Sequence, residues 1–413
     1  MSDISDQIVY RLEDMKGSFT FNRMELAGSL GDLGTLLPLS LGLILINHLN
    51  PIGVFYGVAL YYLISGLYFR VTSPVEPMKV ISAYAIASGI SASTISAASL
   101  MIFGILLVIG ATGLIDLINR YIHRSVVRGV QLSTGLLLLT KGVDLILGNS
   151  KLQQIENSAE PYLSTQSLVG VPIGIVLALI LGFIALLLLN NRKVPAALVV
   201  VGVGICVGFL FGGGQRWQGV DLGFNLPEIL PYGMPSADEW GLALVFLVIP
   251  QIPMTIGNAV IANADLSQSY FGKHSNRVTR KSLCLSMALA NFGSFIIGGM
   301  PMCHGAGGLA SRYRFGARTG GSNLIIGAIF LLFVMVFGSQ VLFVIKLLPL
   351  SILGVLLLFA GLQLGTTIVD VDAREELFVV ILIGGVSLAS NLAIGFLLGI
   401  AVSTIMKMKK ISL

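Results

Sequence analysis

Apolar stretches of bilayer-spanning length recur along this chain from Met24 to Met406, and only short polar segments separate them. A helix needs about 20 consecutive apolar residues to cross the hydrocarbon core of a membrane. We therefore predict fourteen spans, of which the two that follow Pro77 and Pro301 are too short to cross alone. The predicted spans cover residues 24–46, 52–70, 75–90, 93–118, 125–147, 168–190, 194–211, 240–263, 281–298, 302–312, 321–337, 341–363, 376–389 and 391–406.

Composition and charge agree with a membrane protein. Of the 413 residues, 55% are hydrophobic and 11% are charged, whereas about 25% of the residues in a soluble domain are charged. The pattern predicts an all-α polytopic protein embedded in a lipid bilayer. The net charge of +5 arises from basic residues scattered at predicted helix ends. It does not indicate nucleic acid as a partner.

The basic residues also predict the orientation of the chain. With fourteen spans and an inside N-terminus, the predicted outside loops hold only Lys151 and Arg216, while the inside loops are rich in arginine and lysine. The positive-inside rule expects this asymmetry. We predict that both termini are cytosolic and that the protein lies in the plasma (inner) membrane. The arginines of RYRFGAR (312–318) are expected to anchor the cytosolic end of the tenth span.

Two glycine- and proline-rich motifs occur in the same order in each half of the chain. The first half carries GSLGDLGTLLP and then SPVEPMKVISAYAIASG, and the second carries PQIPMTIGNAV and then GGMPMCHGAGG. Interrupted helices at matching places in two halves indicate the central site of a transporter, although proline and glycine also occur as simple kinks in membrane helices. Seven spans per half would invert the second half relative to the first. The predicted divisions are a cytosolic segment 1–23, a first repeat 24–211, an extracytoplasmic loop 212–239, a second repeat 240–406 and a cytosolic tail 407–413.

The two Pro-Met motifs predict two half-helices that meet at the membrane midplane. The first backbone N–H groups of a helix have no partners within the helix, and they carry the positive end of its dipole. An anion is therefore the natural ligand of such a helix end. Gly305, Gly307 and Gly308 lack side chains that would keep a ligand away from the backbone. This geometry suits a small oxyanion.

Three ionisable side chains in these motifs each have a functional and a structural interpretation. Lys79 could oppose the charge of a bound dianion, or simply pair with Glu76 three residues earlier. His304 could donate to an oxyanion, or be a satisfied core residue. Asp32 could carry a coupling proton, or cap a helix at the break beside Gly31.

Gln251 and Asn258 are seven residues apart and are expected on one face of the eighth span. They could reach an oxyanion, or form ordinary interhelical hydrogen bonds. No segment matches a nucleotide-binding loop, a zinc-ligand spacing or a Ser/His/Asp arrangement, so we expect no cofactor, no metal and no enzyme activity. Cys206, Cys284 and Cys303 are expected to be free thiols.

At these motifs the sequence resembles the molybdate transporter family of plants, algae and prokaryotes, a branch of the sulfate-permease-like transporters. ELAGSLGDLGTLLPLSLGL, PVEPMKVISA, IPQIPMTIGNAVIA and GGMPMCHGAGGLASRYRFGARTGG carry the resemblance, of which the Pro-Met-Cys-His segment is the most specific. It implies a seven-plus-seven inverted repeat, with a core domain (spans 1–4 and 8–11) and a gate domain (spans 5–7 and 12–14). It also implies secondary uptake of molybdate, with sulfate and tungstate as related oxyanions and the proton as the candidate coupling ion.

Carried over by position, the family's anion site gives a set of expected binding residues. They are Gly31, Asp32, Thr35, Pro77, Met78, Lys79, Gln251, Asn258, Cys303, His304, Gly305, Ala306 and Gly307. The candidates for the coupling group are Asp32, Glu76 and His304.

Several alternatives stay open from the sequence. A sulfate transporter and a passive anion channel would share the fold, and a nucleobase transporter would use a carboxylate such as Glu76. The chain stops at Leu413, just after the last predicted span, so the C-terminal regulatory domain of the wider group is not expected. A homodimer is compatible with the resemblance.

Overall fold

The structure, a computed structural model, describes residues 19–115, 123–189, 191, 194–212, 223 and 225–409. Most of the predicted N-terminal segment lies outside the described residues, as do 213–222 and 224 of the predicted extracytoplasmic loop and 410–413 of the predicted tail.

The described part of the first half is built from helices joined by short connections. Its helices are α1 (Arg23–Ser29), α2 (Leu33–Leu45), α3 (Pro51–Phe69), α4 (Lys79–Ser88), α5 (Ala92–Thr112), α6 (Arg124–Leu147), α7 (Lys151–Ile155), α8 (Ile173–Leu188) and α9 (Ala196–Phe211). Its strands have two residues each and are β1 (Glu76–Pro77), β2 (Ser167–Leu168) and β3 (Val171–Pro172).

The second half begins with a long helix that contains two π-helical stretches. In α10 (Ala237–Ser275), π-helical turns over Ala243–Val248 and Thr255–Ala262 flank the short α-helical piece Ile249–Met254. Pro250 and Pro253 lie in that piece, and a proline removes one backbone donor from the helix. The later elements are α11 (Arg280–Ile297), β4 (Met302–Cys303), α12 (Ala306–Phe315), α13 (Gly321–Phe337), α14 (Val341–Lys346), α15 (Leu350–Gly365, continued by a 3-10 turn to Asp370), α16 (Arg374–Ala389) and α17 (Leu392–Lys409).

Six helical segments of the described chain are long and apolar enough to span a membrane. They are Arg23–Leu45, Pro51–Phe69, Ala92–Thr112, Arg124–Ile155, Ala237–Ser275 and Leu350–Asp370. Four shorter apolar helices accompany them, and these are Ile173–Leu188, Ala196–Phe211, Gly321–Phe337 and Leu392–Met408. The protein is therefore a mostly helical membrane protein, as the hydropathy pattern predicted.

Two short strand pairs that the sequence did not predict accompany the helices, and one of them matters for the site. β1 and β4 pair antiparallel, with Glu76 opposite Cys303 and Pro77 opposite Met302. Because these residues are extended, the two half-helices begin at Lys79 and Ala306 rather than directly at the prolines. The antiparallel pairing sends α4 and α12 away from a common point in opposite directions. The second strand pair, β2 with β3, closes a hairpin before α8.

Glycines allow α6 and α15 to pack with their backbones in contact. A Cβ atom at Gly135 would lie 2.6 Å from the carbonyl oxygen of Gly361, and one at Gly142 would lie 2.6 Å from that of Gly354. Conversely, a Cβ atom at Gly361 or Gly354 would lie 2.6 Å from the carbonyl oxygen of Gly135 or Gly142, respectively. Small residues at helix interfaces permit such close approach in membranes, so these four glycines allow α6 of the first half to pack directly against α15 of the second.

Candidate functional site

A cavity of about 410 Å³ lies between two groups of helices at the point where the half-helices begin. One wall comes from the start of α2, from β1 and α4, from the middle of α10 and from the first turn of α12. The opposite wall comes from α6 and α15. The cavity is large enough for a small ligand, and it lies where the two interrupted helices of the sequence analysis converge.

Glu76 and Lys79 face this cavity as an ion pair. Lys79 Nζ lies 3.0 Å from Glu76 Oε2, and both side chains are almost fully buried. Neither oxygen of Glu76 accepts a hydrogen bond of good geometry from the described residues, although the Thr35 hydroxyl also lies beside this carboxylate. The pairing of Lys79 with Glu76, one of the two interpretations of the lysine, is present in the structure.

The two half-helices present different N-termini to their surroundings. Gln251 Oε1 accepts hydrogen bonds from the backbone N–H groups of Val80 (3.0 Å) and Ile81 (3.2 Å), in the first turn of α4. Its amide group donates to Thr255 Oγ1 at 2.9 Å. Gln251 thus caps α4, whereas the first turn of α12 faces the cavity through Gly307 and Gly308. The expected symmetry of two open helix ends is therefore not observed.

Gln251 and Asn258 contact different parts of the structure, although their spacing predicted a shared face. The π-helical turns of Thr255–Ala262 begin between them and alter the rotation per residue. As a result Gln251 is buried against α4, while Asn258 lines the cavity. Extra-wide turns of this kind occur frequently at functional sites.

Asp32 is held at the break between α1 and α2 by a buried network. Its carboxylate accepts from Tyr62 Oη at 2.7 Å and from Arg312 at 3.1 Å, and it makes no side-chain cap of α2. Arg312 also donates to the Ser29 carbonyl (3.1 Å) and to Asn323 Oδ1 (2.8 Å). Asp32 thus holds the N-cap position of α2, as the structural interpretation expected, but its carboxylate bonds to Tyr62 and Arg312 instead of capping the helix.

Arg312 is the most consequential residue that the sequence analysis misjudged. Its guanidinium is fully buried, so it is not a surface anchor of a cytosolic helix end. Beyond the bonds above, it donates to Thr72 Oγ1 (2.8 Å) and Ser322 Oγ (3.0 Å), which makes five hydrogen bonds in all. A planar guanidinium has five N–H donors in fixed directions, and every direction meets an acceptor here. The residue fixes α12 to α1, to the segment before β1 and to α13.

His304 lies beside the cavity, and its ring points away from it. Nδ1 lies 2.7 Å from the Pro74 carbonyl oxygen, so this nitrogen carries the proton. Nε2 then accepts from Tyr61 Oη (2.7 Å) or Ser286 Oγ (2.9 Å). The backbone carbonyl of His304 accepts from Asn263 Nδ2 at 2.8 Å. These bonds fasten the turn before α12 to α3, α10 and α11.

The structure brings six of the thirteen expected binding residues to the cavity wall, together with the coupling candidate Glu76. The six are Gly31, Asp32, Thr35, Lys79, Asn258 and Gly307. The other expected residues do not line the cavity and are all buried, and these are Pro77, Met78, Gln251, Cys303, His304, Gly305 and Ala306.

The opposite wall contains polar residues that the sequence analysis did not select. Arg128, Gln131, Gln363 and Thr367 all line the cavity from α6 and α15. Arg128 donates to Gln131 Oε1 at 2.6 Å and to Asp370, through Nε at 2.8 Å. The available signal was the polar pair at i,i+3, Arg128 and Gln131, within the predicted span 125–147.

A second cavity of about 330 Å³ shares Gly31, Gly34, Ser311 and Gln363 with the first. It extends between α8, α9 and α15 toward the exposed side chain of Arg314 at the end of α12. The two cavities therefore lie next to each other along the break between α1 and α2.

Comparison with known families and relatives gives a consistent result. A family model described as "Molybdate transporter of MFS superfamily" matches residues 24–138 and 243–364. "Molybdate transporter 2" of Arabidopsis thaliana is 32% identical, and the match covers 93% of this chain and 87% of that protein. "Molybdate transporter 1" of Chlamydomonas reinhardtii is 29% identical, with 91% of this chain and 90% of that protein covered.

Solved structures share the fold at much lower sequence identity. The transmembrane domain of the cyanobacterial bicarbonate transporter BicA has a TM-score of 0.65 and 16% identity, covering 92% of this chain and 96% of that domain. A structure of murine Slc26a9, described as an anion transporter in the inward-facing state, has a TM-score of 0.68 and 15% identity, covering 97% of this chain and 71% of that chain. In a further SLC26A9 structure, with a TM-score of 0.68 and 15% identity, the match covers 94% of this chain and 65% of the other.

Proposed function

The chain belongs to the molybdate transporter family, and from this premise we propose that it is a secondary transporter that imports molybdate through the cavity at β1 and β4. The observation that carries the proposal is that a buried lysine, Lys79, and the glycine-rich first turn of α12 line the same cavity. A membrane-embedded ionisable group by default marks a substrate or ion path. A helix N-terminus supplies N–H donors of the right polarity for an oxyanion.

The binding chemistry needs only groups of this chain. Lys79 supplies a cation, and the first turn of α12 supplies backbone N–H donors beside Gly307. Asn258 and Thr35 add neutral donors from α10 and α2, and Arg128 faces the same space from α6. A tetrahedral dianion would meet positive or neutral donors on most sides, because the carboxylates of the wall are each paired with a cation.

The expected architecture of fourteen spans in a seven-plus-seven inverted repeat is also part of this proposal. Contacts between helices support it. α3 packs on α13, where a Cβ at Gly327 would meet Leu63, and α5 packs on α11, where a Cβ at Gly110 would meet Cys284. A seven-span repeat exchanges α3 with α11 and α5 with α13, so it converts the first contact into the second. It also exchanges α6 with α15, so the contact between these two helices is unchanged. The same operation relates the β1–β4 pair to itself.

The core and gate domains follow from this symmetry. The cavity lies between the wall from α2, α4, α10 and α12, which belong to the proposed core, and the wall from α6 and α15, which belong to the proposed gate. Movement of one group past the other would open the cavity to alternate sides of the membrane. We also propose that both termini are cytosolic, because the predicted inside loops are rich in basic residues. The domain limits of the sequence analysis and a plasma (inner) membrane location are part of the same proposal.

The expected residues take two roles in this proposal. Those on the cavity wall contact the anion directly, and Glu76 and Asp32 stand as coupling candidates beside it. His304, with both ring nitrogens bonded to protein groups, acts through the turn whose backbone it fixes. Gln251 acts in the same way by capping α4.

Uptake into proteoliposomes tests the proposal. Vesicles containing the purified protein should accumulate molybdate above the level of empty vesicles, and Lys79→Met should lose this uptake. Excess unlabelled tungstate or sulfate should compete more strongly the closer its size is to that of molybdate. Uracil should not compete. Absence of uptake under proton, sodium and voltage gradients, with molybdate binding also absent, would overturn the proposal. Competition by uracil alone would identify a nucleobase carrier.

A further inference from the structure

The carboxylate of Glu76 occupies the space in front of the first turn of α12. A Cβ atom at Gly305 would collide with Glu76 Oε2, and one at Gly308 would lie 2.8 Å from Glu76 Oε1. Only glycine at these two positions leaves room for the carboxylate. The first turn of α12 is therefore open enough to admit an anion, and the protein's own carboxylate lies there.

Glu76 differs from the other buried carboxylates in the described ranges. Glu25 Oε1 accepts from the backbone N–H groups of Arg318 and Thr319 at 3.1 and 2.9 Å. Glu160 accepts from two backbone N–H groups at the start of α15, at 2.9 and 2.8 Å. Asp32 accepts from a tyrosine and an arginine.

Both oxygens of Glu76 are buried and accept no hydrogen bond of good geometry from the described residues, so its charge is compensated by the ion pair with Lys79 and the neighbouring Thr35 hydroxyl. A buried carboxylate without hydrogen bonds is costly, which makes this side chain the one most easily displaced or neutralised. The same lysine would also be required by a bound dianion.

We propose that Glu76 is an internal substitute for the substrate, which occupies the anion position at α12 when the site is empty and takes up one proton when molybdate binds. This inference rests on the proposed function and deepens it. Protonation converts the carboxylate to a neutral carboxyl group, with the new proton on a Glu76 oxygen. Lys79 then loses its partner and pairs with the dianion instead.

The charges around the site support a count of one proton. Asp32 is paired with Arg312, and Glu76 with Lys79, so each pair is neutral. Arg128 is the charged residue of the cavity wall whose partner, Asp370, does not line the cavity, which leaves one positive charge at the gate wall. One proton on Glu76 raises this sum to two positive charges, which balances the two negative charges of molybdate.

Other titratable groups face Glu76 from the surrounding elements. They are Asp32 at the start of α2, Tyr62 of α3, Lys79 of α4, Arg128 of α6, Cys303 of β4 and, behind the wall, His304. In the described chain, α10 and the first turn of α12 present neutral groups to the cavity. Asp32 accepts hydrogen bonds from Tyr62 and Arg312 that protonation would weaken, and His304 lies behind the wall with both ring nitrogens bonded to other groups. Glu76 is therefore the group that titrates with substrate binding.

Calorimetric titration of the purified protein with molybdate tests the count, with the same titration repeated in buffers of different ionisation enthalpy at one pH. The native protein should take up about one proton per molybdate, and its affinity should weaken about tenfold for each added pH unit where one proton is linked. Glu76→Gln should bind molybdate at least as tightly, with proton uptake near zero and affinity independent of pH. Glu160→Gln, a buried acid that caps α15, should keep the native proton count.

Two results would overturn the inference. One is a native protein that binds molybdate without proton uptake, and the other is Glu76→Gln that retains the native uptake. Infrared difference spectroscopy of the native protein covers the case in which the variant does not fold, because molybdate should produce a new protonated-carboxyl band, and its absence would refute the inference. If the native protein does not bind molybdate at all, the proposed function fails instead.

Discussion

Replacing Gly307 by alanine should weaken molybdate binding without destabilising the protein. Gly307 lines the cavity in the first turn of α12, and the nearest atom to an added Cβ is Lys79 Nζ at 3.9 Å. This is an ordinary contact distance, so the methyl group fits without strain. Alanine is favoured over glycine in a helix by up to about 1 kcal/mol, so the unfolding temperature should stay the same or rise.

The cost should appear in binding instead. The methyl group would stand between the first-turn N–H groups and Lys79, in the volume assigned to the anion. Loss of one hydrogen bond to a charged group costs about 1.5–3 kcal/mol of binding free energy. The dissociation constant should therefore rise roughly 10- to 100-fold. Calorimetry with molybdate and thermal unfolding in detergent would measure the two effects separately.

Gly308→Ala is the matched control at the next position. Its Cβ would lie 2.8 Å from Glu76 Oε1 and 2.8 Å from Pro74 Cβ, and overpacking of this kind costs about 1–3 kcal/mol of stability. Gly307→Ala should therefore lose affinity but not stability, and Gly308→Ala should lose stability. Native affinity in Gly307→Ala would refute the placement of the anion at α12.

Three further substitutions test other parts of the structure. Arg312→Gln should cost about 3–5 kcal/mol of stability because it leaves the buried Asp32 without its ion-pair partner. Arg314→Gln, at an exposed position, should change the unfolding temperature little, and equal stability of the two variants would contradict the buried network. Arg128→Gln should weaken molybdate binding about tenfold, the scale of one charged hydrogen bond, while Arg124→Gln, which pairs with the same aspartate but does not line the cavity, should bind normally. Gly142→Ala should lower stability by about 1–3 kcal/mol because its Cβ meets a carbonyl oxygen of α15 at 2.6 Å, and an unchanged unfolding temperature would show that α6 and α15 separate easily.

The sequence predicted the helical membrane protein and the interrupted helices because both depend on local patterns. Apolar runs follow from the thickness of a bilayer, and the Pro-Met motifs mark the places where two helices start inside the protein. Lys79 and Gly307 were selected because a charge or an open backbone within an apolar run is itself unusual. Both residues line the cavity in the structure.

The partners of these residues were not predictable in the same way. Asp32 and Arg312 are 280 residues apart, and no local pattern in one sequence connects them. Arg312 was misjudged because its neighbours Arg314 and Arg318 suggested a charged helix end. Gln251 was misjudged because its spacing from Asn258 assumed an uninterrupted α-helix.

The position of molybdate itself is the most direct test of this account. X-ray diffraction from crystals grown with molybdate, recorded at the molybdenum absorption edge, would locate the metal atom by its anomalous signal. The account predicts the strongest peak in the cavity between Lys79 and the first turn of α12 near Gly307, with the Glu76 carboxylate displaced from Gly305 and Gly308. A peak elsewhere in the protein, with Glu76 unmoved at the start of α12, would contradict it.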